Sequence, residues 1–432
     1  MAKFSAGVGF GTPASKLRMM SDEYVAQMYS IIEINRSIIP EMAVKDEELA
    51  DQLRRRIVAQ LTDSEREEYA DYLEKIAATI FAAADQAEGR PKPGDNTSAL
   101  SIEIQNGVIG SAIQRSIAEG MMRTRAGSSE ELLRKSLLVS AISSFEVLFG
   151  QIARAIYSVN SSALNDSDYA FTLQELAKFS TLDDAREYLI ERRISGLLRD
   201  SIDAWDKWLK RTSGGLSMDT LPVEWPLIRE SFARRNLIVH TGGVVNHLYT
   251  TVIQKLDSPN ADRITIGSRL TVDEEYLDRV LQELLALGHI LTCATGSKLH
   301  KSEEENFASA TVATIQNLSA KSAWRACSAV CKYALSRNLA RSSEMNVRVR
   351  SWLSRKEIHG IESIRKEVEE WDTSGLSKGI SHCKAVLLDD LDSALPEIDA
   401  LLRMGELTKF ELALDPLYDG VVGQLSIDQE TS

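Results

Sequence analysis

Apolar and polar positions along this chain recur with the 3.6-residue period of helices and almost nowhere with the alternation of strands. Asp22 is placed to cap a helix over EYVAQMYSIIEI, Pro40 closes that pattern, and a second helix is expected from Lys45 to Leu61. Thr62, Asp63 and Ser64 then precede EREEYADYLEKIAATIFAAA, where Tyr69, Tyr72, Leu73, Ile76, Ile80 and Phe81 share a face. Glu88 to Ser98, with two Pro and two Gly in eleven residues, reads as a linker. Ser129 opens a long helix whose stripe includes Leu133, Leu137, Ile142, Phe145, Leu148, Phe149, Ile152 and Ile156. A polar loop (Asn160 to Asp168), FTLQELAKF and a helix over Leu182–Leu209 follow; Pro222 and Pro226 mark the start of WPLIRESFARRNLIVHTGG. Asp262 to Val272 is the one fair strand candidate, after which Thr271 or Asp273 caps a helix to about Leu291. Beyond Glu303, helical patterns break near Arg341, Gly360, Thr373–Gly375 and Gly405. The stretch from Ala385 to Gly420 looks like two antiparallel tetratricopeptide-type helices, although the roughly 34-residue period of such repeats is not clean.

The expected fold class is therefore all-α. A central bundle at residues 128–300 would be flanked by an N-terminal helical domain at 1–98, a connecting segment at 99–127 and a C-terminal helical domain at 301–432. Nine Pro and 6% aromatic residues agree with helix, and four Cys make no disulfide framework and fit a reducing cytosol. No apolar run reaches the ~20 residues of a membrane span; the longest, Leu284 to Ala294, carries His289. A soluble, cytoplasmic protein with no membrane partner is expected.

A net charge of −13 opposes attraction of the whole chain to nucleic acid, but the average conceals a split. Lys321 to Lys366 holds eleven basic and three acidic residues, a net of +8, whereas Glu367 to the C-terminus holds fifteen acidic and four basic, a net of −11. Two readings stand. Either a polyanion binds the basic stretch, or the two charged faces satisfy each other.

The chemistry concentrates in FARRNLIVHTGG. Asn236 and His240 are four apart and share a helix face, and Arg235 reaches toward the same spot. Gly242 and Gly243 signal the helix C-terminus, putting His240 in the last turn. An imidazole, an Arg fork matched to phosphate oxygens and an orienting Asn suit phosphodiester cleavage. The route requires no metal, and no cofactor is expected. The bland alternative is an ordinary helix end with a capping His.

The segments SLLVSAISSFEVLFGQIARAIY, FTLQELAKFSTLDDAREYLIERRISGLLRDSIDAWDKWL and ARRNLIVHTGGVVNHLY, from Ser129 to about Leu291, resemble the HEPN domain family (higher eukaryotes and prokaryotes nucleotide-binding). The resemblance covers roughly two-fifths of the chain, and its specific part is the Arg-Asn-x3-His motif on a late helix. It implies an all-α bundle that dimerises so that two such motifs line one cleft. It also implies metal-independent endoribonuclease activity, commonly in toxins or phage-defence effectors that arrest the host cell. Arg235 and His240 carry over as catalytic and Asn236 as the residue that orients them. Where one branch of the family has a modifiable Tyr two residues after the His, this chain has Gly242.

Other constellations are open to structural readings. Cys327, Cys331, His382 and Cys383 match no familiar zinc spacing and read better as buried thiols. Gly7, Gly9 and Gly11 have no preceding strand to make a phosphate loop. His247 reads as a surface or dimer-contact residue, Glu146 either polarises His240 or is exposed, and Trp205, Trp208 and Trp225 read as core ahead of base stacking.

The function expected is a homodimeric endoribonuclease with RNA as substrate and a regulatory protein or antitoxin as a further partner. Arg234, Lys321, Arg325, Lys332, Arg337, Arg341, Arg348, Arg350, Arg355 and Lys356 are its candidate RNA contacts. The alternative is a non-catalytic helical scaffold in which the motif helix builds a dimer seam and the C-terminal helices bind a protein.

Overall fold

A computed structural model of the chain describes residues 11–86, 104, 106–126, 129–160, 171–256 and 264–422. The linker at Glu88–Ser98, most of the Asn160–Asp168 loop, and Gly7 and Gly9 lie outside the described residues. Helices are the regular secondary structure of the described residues, and their only β pairing is an isolated bridge between Val244 and Arg269, where the strand candidate lay.

The chain divides into two compact units, one of residues 34–134 and one formed by residues 1–33 together with 135–432. This differs from the expected N-terminal domain at 1–98. Helix α1 (Pro13–Glu33) belongs to the larger unit, where it lies on α10 (Glu274–Leu299). The Tyr24 hydroxyl donates to the Leu284 carbonyl at 2.7 Å, and Ser21 Oγ lies 3.0 Å from His289 Nδ1. A linker signal marks where a chain is pliable; which helices share a core is decided by apolar faces far apart in sequence.

Asp22 is not a cap but an interior residue of α1, which starts at Pro13. A π-turn (Ile34–Ile38) joins α1 to α2 (Ile39–Val58), so Pro40 sits in a first turn, where its missing N–H is harmless, rather than ending a helix. In the smaller unit, α3 (Asp63–Gln86) packs on α4 (Gly107–Ala126) around Leu61, Tyr69, Ile76, Ile109 and Ile113. At the α3 start the Thr62 amide and hydroxyl both donate to Glu65 Oε2, at 2.9 and 2.8 Å, where the Thr-Asp-Ser sequence precedes the helix.

Helix α5 (Ser129–Val159) starts where expected and carries Leu138, Ile142, Phe145, Phe149, Ile152 and Ile156 into the core of the larger unit. By length and composition it is long and apolar enough to cross a membrane, contrary to the expectation from apolar runs; half of its most apolar window is buried among other helices. Its occasional polar residues interrupt every run without lowering the average. The helix expected over Leu182–Leu209 is two helices, α6 (Leu182–Leu197) and α7 (Ile202–Thr212). Ser201 caps α7, and the indole of Trp205 donates to the Leu197 carbonyl at 2.6 Å, bridging the break. Trp205 is stacked on Phe149 with centroids 4.9 Å apart, Trp208 donates to the Tyr157 hydroxyl at 3.0 Å, and Trp225 packs against the same core. These tryptophans are core residues.

Helix α8 (Trp225–Thr241) carries the motif and α9 (His247–Lys255) follows it. Asp273, not Thr271, caps α10 through the Tyr276 amide. The same core continues through α11 (Glu304–Ala320) and α12 (Trp324–Leu335), so no domain boundary falls at residue 300. Cys327 and Cys331 are buried there. A second apolar cluster, reaching from Val349 of α13 (Arg341–His359) to Val421, contains His382 and Cys383 beside Tyr418. The expected antiparallel pair is instead three pieces, Cys383–Leu387, α14 (Leu391–Met404) and Lys409–Leu414.

Candidate functional site

Pro226 in its first turn and two glycines at its end delimit α8. Gly242 and Gly243 take φ of 64° and 89°, and their N–H groups donate to the Ile238 and Leu237 carbonyls at 3.1 Å each. A Cβ at Gly243 would lie 3.4 Å from the Leu270 carbonyl oxygen, and the Leu270 amide in turn donates to the Gly243 carbonyl at 2.9 Å. Glycine is therefore needed for both the turn and the close backbone approach that ends the helix just past His240.

Arg235 and Asn236 come together on α8, and His240 stands one turn past Asn236 on the same helix. Arg235 Nη1 donates to Asn236 Oδ1 at 3.0 Å, while Nη2 reaches both carboxylate oxygens of Glu146 on α5 at 2.9 Å each. The pair is about three-quarters buried, with side-chain exposures of 22% for Arg235 and 24% for Glu146. Burial raises the Glu146 carboxyl above its ordinary value even though the Arg235 guanidinium pulls it the other way. Arg235 Nε is buried and has no hydrogen-bond partner. Asn236 and His240 are exposed, one turn apart. Glu146 thus positions Arg235 rather than polarising His240, which is a correction. Sequence spacing could not place a residue of α5 against one of α8.

Neighbouring positions on α8 face inward and build a network that sequence reading did not identify. Arg234 Nε donates to Glu230 at 2.7 Å, and its Nη1 to the Thr271 carbonyl at 2.9 Å. Its guanidinium lies 3.8 Å from the centroid of the Tyr276 ring. The hydroxyls of Tyr249 and Tyr276 each donate to Glu230 at 2.5 Å. Burial among these groups pushes both phenols upward. Arg234, expected to contact RNA, is thereby committed to fixing α8 against α9 and α10. The one legible signal was the four-residue spacing of Glu230 and Arg234.

The acidic C-terminal region neutralises part of the basic stretch, as the second reading of the charge split anticipates. Arg350 is held by Asp415 through both nitrogens, Arg355 by Glu367, Lys356 by Asp389, and Arg348 by Glu344 within its own helix. Arg337 lies over the Tyr333 ring; Lys321, Lys332 and Arg341 are exposed and Arg325 is half-buried. Of the ten candidate RNA contacts, Arg234, Arg348, Arg350, Arg355 and Lys356 are thus engaged by carboxylates. His247 is exposed at the start of α9.

No family model, curated protein or solved structure matches this chain.

Proposed function

We propose that the chain is a metal-independent endoribonuclease of the HEPN type, with Arg235, Asn236 and His240 as its reactive group. The observation carrying this reading is the guanidinium of Arg235, braced by Glu146 and bonded to Asn236 Oδ1, on a helix whose exposed face carries Asn236 and His240 one turn apart. Glu146 orders the Arg fork without exhausting its donors. In the proposed reaction His240 accepts the proton of an RNA 2′-hydroxyl. The 2′-oxygen then bonds to phosphorus, Arg235 stabilises the added negative charge, and the bond to the 5′-oxygen breaks, that oxygen taking a proton from solvent. The products are a 2′,3′-cyclic phosphate and a 5′-hydroxyl.

Next to His240 in the chain Val239 is 53% exposed, and at the start of α9 Leu248 is 79% exposed. Exposed apolar groups of this size favour cover by a second copy, in which two motifs would face one cleft. The reading extends to a cytoplasmic toxin or phage-defence role and to a neutralising or regulatory protein partner. A scaffold is the second reading, favoured by one observation: a doubly bonded Arg235–Glu146 pair is also what a purely structural helix contact would use.

Cleavage of total bacterial RNA in EDTA separates the two. The nuclease reading expects discrete products with cyclic phosphate ends from the wild type, and their loss in Arg235→Ala and His240→Ala. Glu146→Gln should cut more slowly than wild type. Equal cutting by wild type and His240→Ala would remove the site assignment, and a wild type that cuts nothing supports the scaffold.

A further inference from the structure

One cleft of the larger unit has none of the motif residues in its lining and is lined by Arg325 and Lys332 of the basic stretch, Arg325 within electrostatic reach of Glu283. It has a volume of about 360 Å³ and runs between the Pro222–Glu224 segment, α10, α12 and the last turn of α13. That volume falls within the range of small-molecule sites. Arg325, Ser328 and Lys332 stand at i, i+3 and i+7 of α12 and so form one wall. His359 closes the mouth from α13, and Glu283 of α10 lies at the floor, only 7% exposed.

The charges in the cleft do not cancel. The Glu224 carboxylate is occupied by Arg279 through two bonds at 3.0 and 3.1 Å. Glu283 Oε2 accepts from the Glu224 amide at 2.7 Å, which leaves Oε1 as an acceptor at the floor. Arg325 and Lys332, with His359 beside them, therefore outnumber the single remaining carboxylate. Val223 and Ile358 add apolar lining to the cleft.

We propose that this cleft binds a small phosphomonoester that also carries hydroxyl or amino donors, a ligand of mononucleotide size. The phosphate lies against Arg325, Lys332 and His359, and a donor of the ligand reaches Glu283 Oε1. A single RNA strand is the weaker occupant. It needs a continuing run of cations, and of those that follow in sequence Arg348, Arg350, Arg355 and Lys356 are committed to carboxylates. The inference stands independently of cleavage chemistry at His240.

Calorimetric titration of the full chain at low salt with adenosine 5′-monophosphate, inorganic phosphate and adenosine tests it. The nucleotide is expected to bind, phosphate more weakly, and adenosine not at all. Lys332→Glu, an exposed position whose variant should melt like the wild type, should weaken nucleotide binding by at least about tenfold, as should Arg325→Ala. Glu283→Gln should weaken the nucleotide without weakening phosphate. The proposal is overturned by absence of nucleotide binding up to about 10 mM or by unchanged affinity in Lys332→Glu. Lys332-dependent binding of single-stranded RNA by a chain that ignores the nucleotide would overturn it too.

Discussion

Replacing Gly288 with alanine probes the helix contact that takes α1 out of the expected N-terminal domain. On an unobstructed helix, Gly→Ala stabilises by about 1 kcal/mol. Here the added Cβ would lie 2.2 Å from Cε1 of Tyr24 and 2.8 Å from two further ring atoms. The ring cannot simply rotate away, because it is buried and its hydroxyl is tied to the Leu284 carbonyl. Overpacking costs about 1–3 kcal/mol, and a lost buried hydrogen bond about 1 kcal/mol more. Set against the propensity gain, Gly288→Ala should destabilise by about 2 kcal/mol net. The assay is the thermal midpoint of the larger unit, measured in wild-type and Tyr24→Ala backgrounds. In the second background the ring is gone, and Gly288→Ala should be neutral or stabilising by up to about 1 kcal/mol. A higher midpoint for Gly288→Ala alone, or the same loss in both backgrounds, would refute the argument. Because α10 also presents Tyr276 to Glu230, loosening it should be felt at the motif helix.

Two further outcomes follow from buried polar groups. His289, buried between Ser21 and Cys293, is held down to about 4 from an ordinary 6.5 by desolvation. The unfolded chain therefore binds a proton that the folded one refuses, and stability present above 6.5 is lost as pH falls, by about 2 kcal/mol at about pH 5; denaturant midpoints should show this slope, and His289→Gln should flatten it. Arg350→Ala should leave Asp415 without its partner and destabilise the C-terminal cluster by about 3 kcal/mol while leaving RNA retention on filters unchanged; lost retention without lost stability would restore Arg350 as an RNA contact.

Much of the local structure was legible because its causes are local. Thr62 with Glu65, Ser129, Asp273 and the Gly242–Gly243 pair act within a few residues of themselves, and the helices begin or end at these signals. The break at Leu198 was missed because its apolar period runs on past it. What stops the helix there is Ser201 capping α7 and the Trp205 indole taking the Leu197 carbonyl.

By itself the sequence determined an all-α chain, the placement of Arg235, Asn236 and His240 within about a turn and a half near a helix end, and the presence of two opposed charge blocks. Each of these follows from helical geometry or from counting. Only the tertiary structure decided that α1 joins α10, that Glu146 grips Arg235 while Arg234 turns inward to Glu230, and that Arg350, Arg355 and Lys356 are neutralised by the acidic region. Neighbours such as Arg234 and Arg235 differ by about 100° of helix rotation, so one meets Glu230 and the other Glu146. Which carboxylate Arg235 meets depends on a packing partner, α5, that no local pattern encodes.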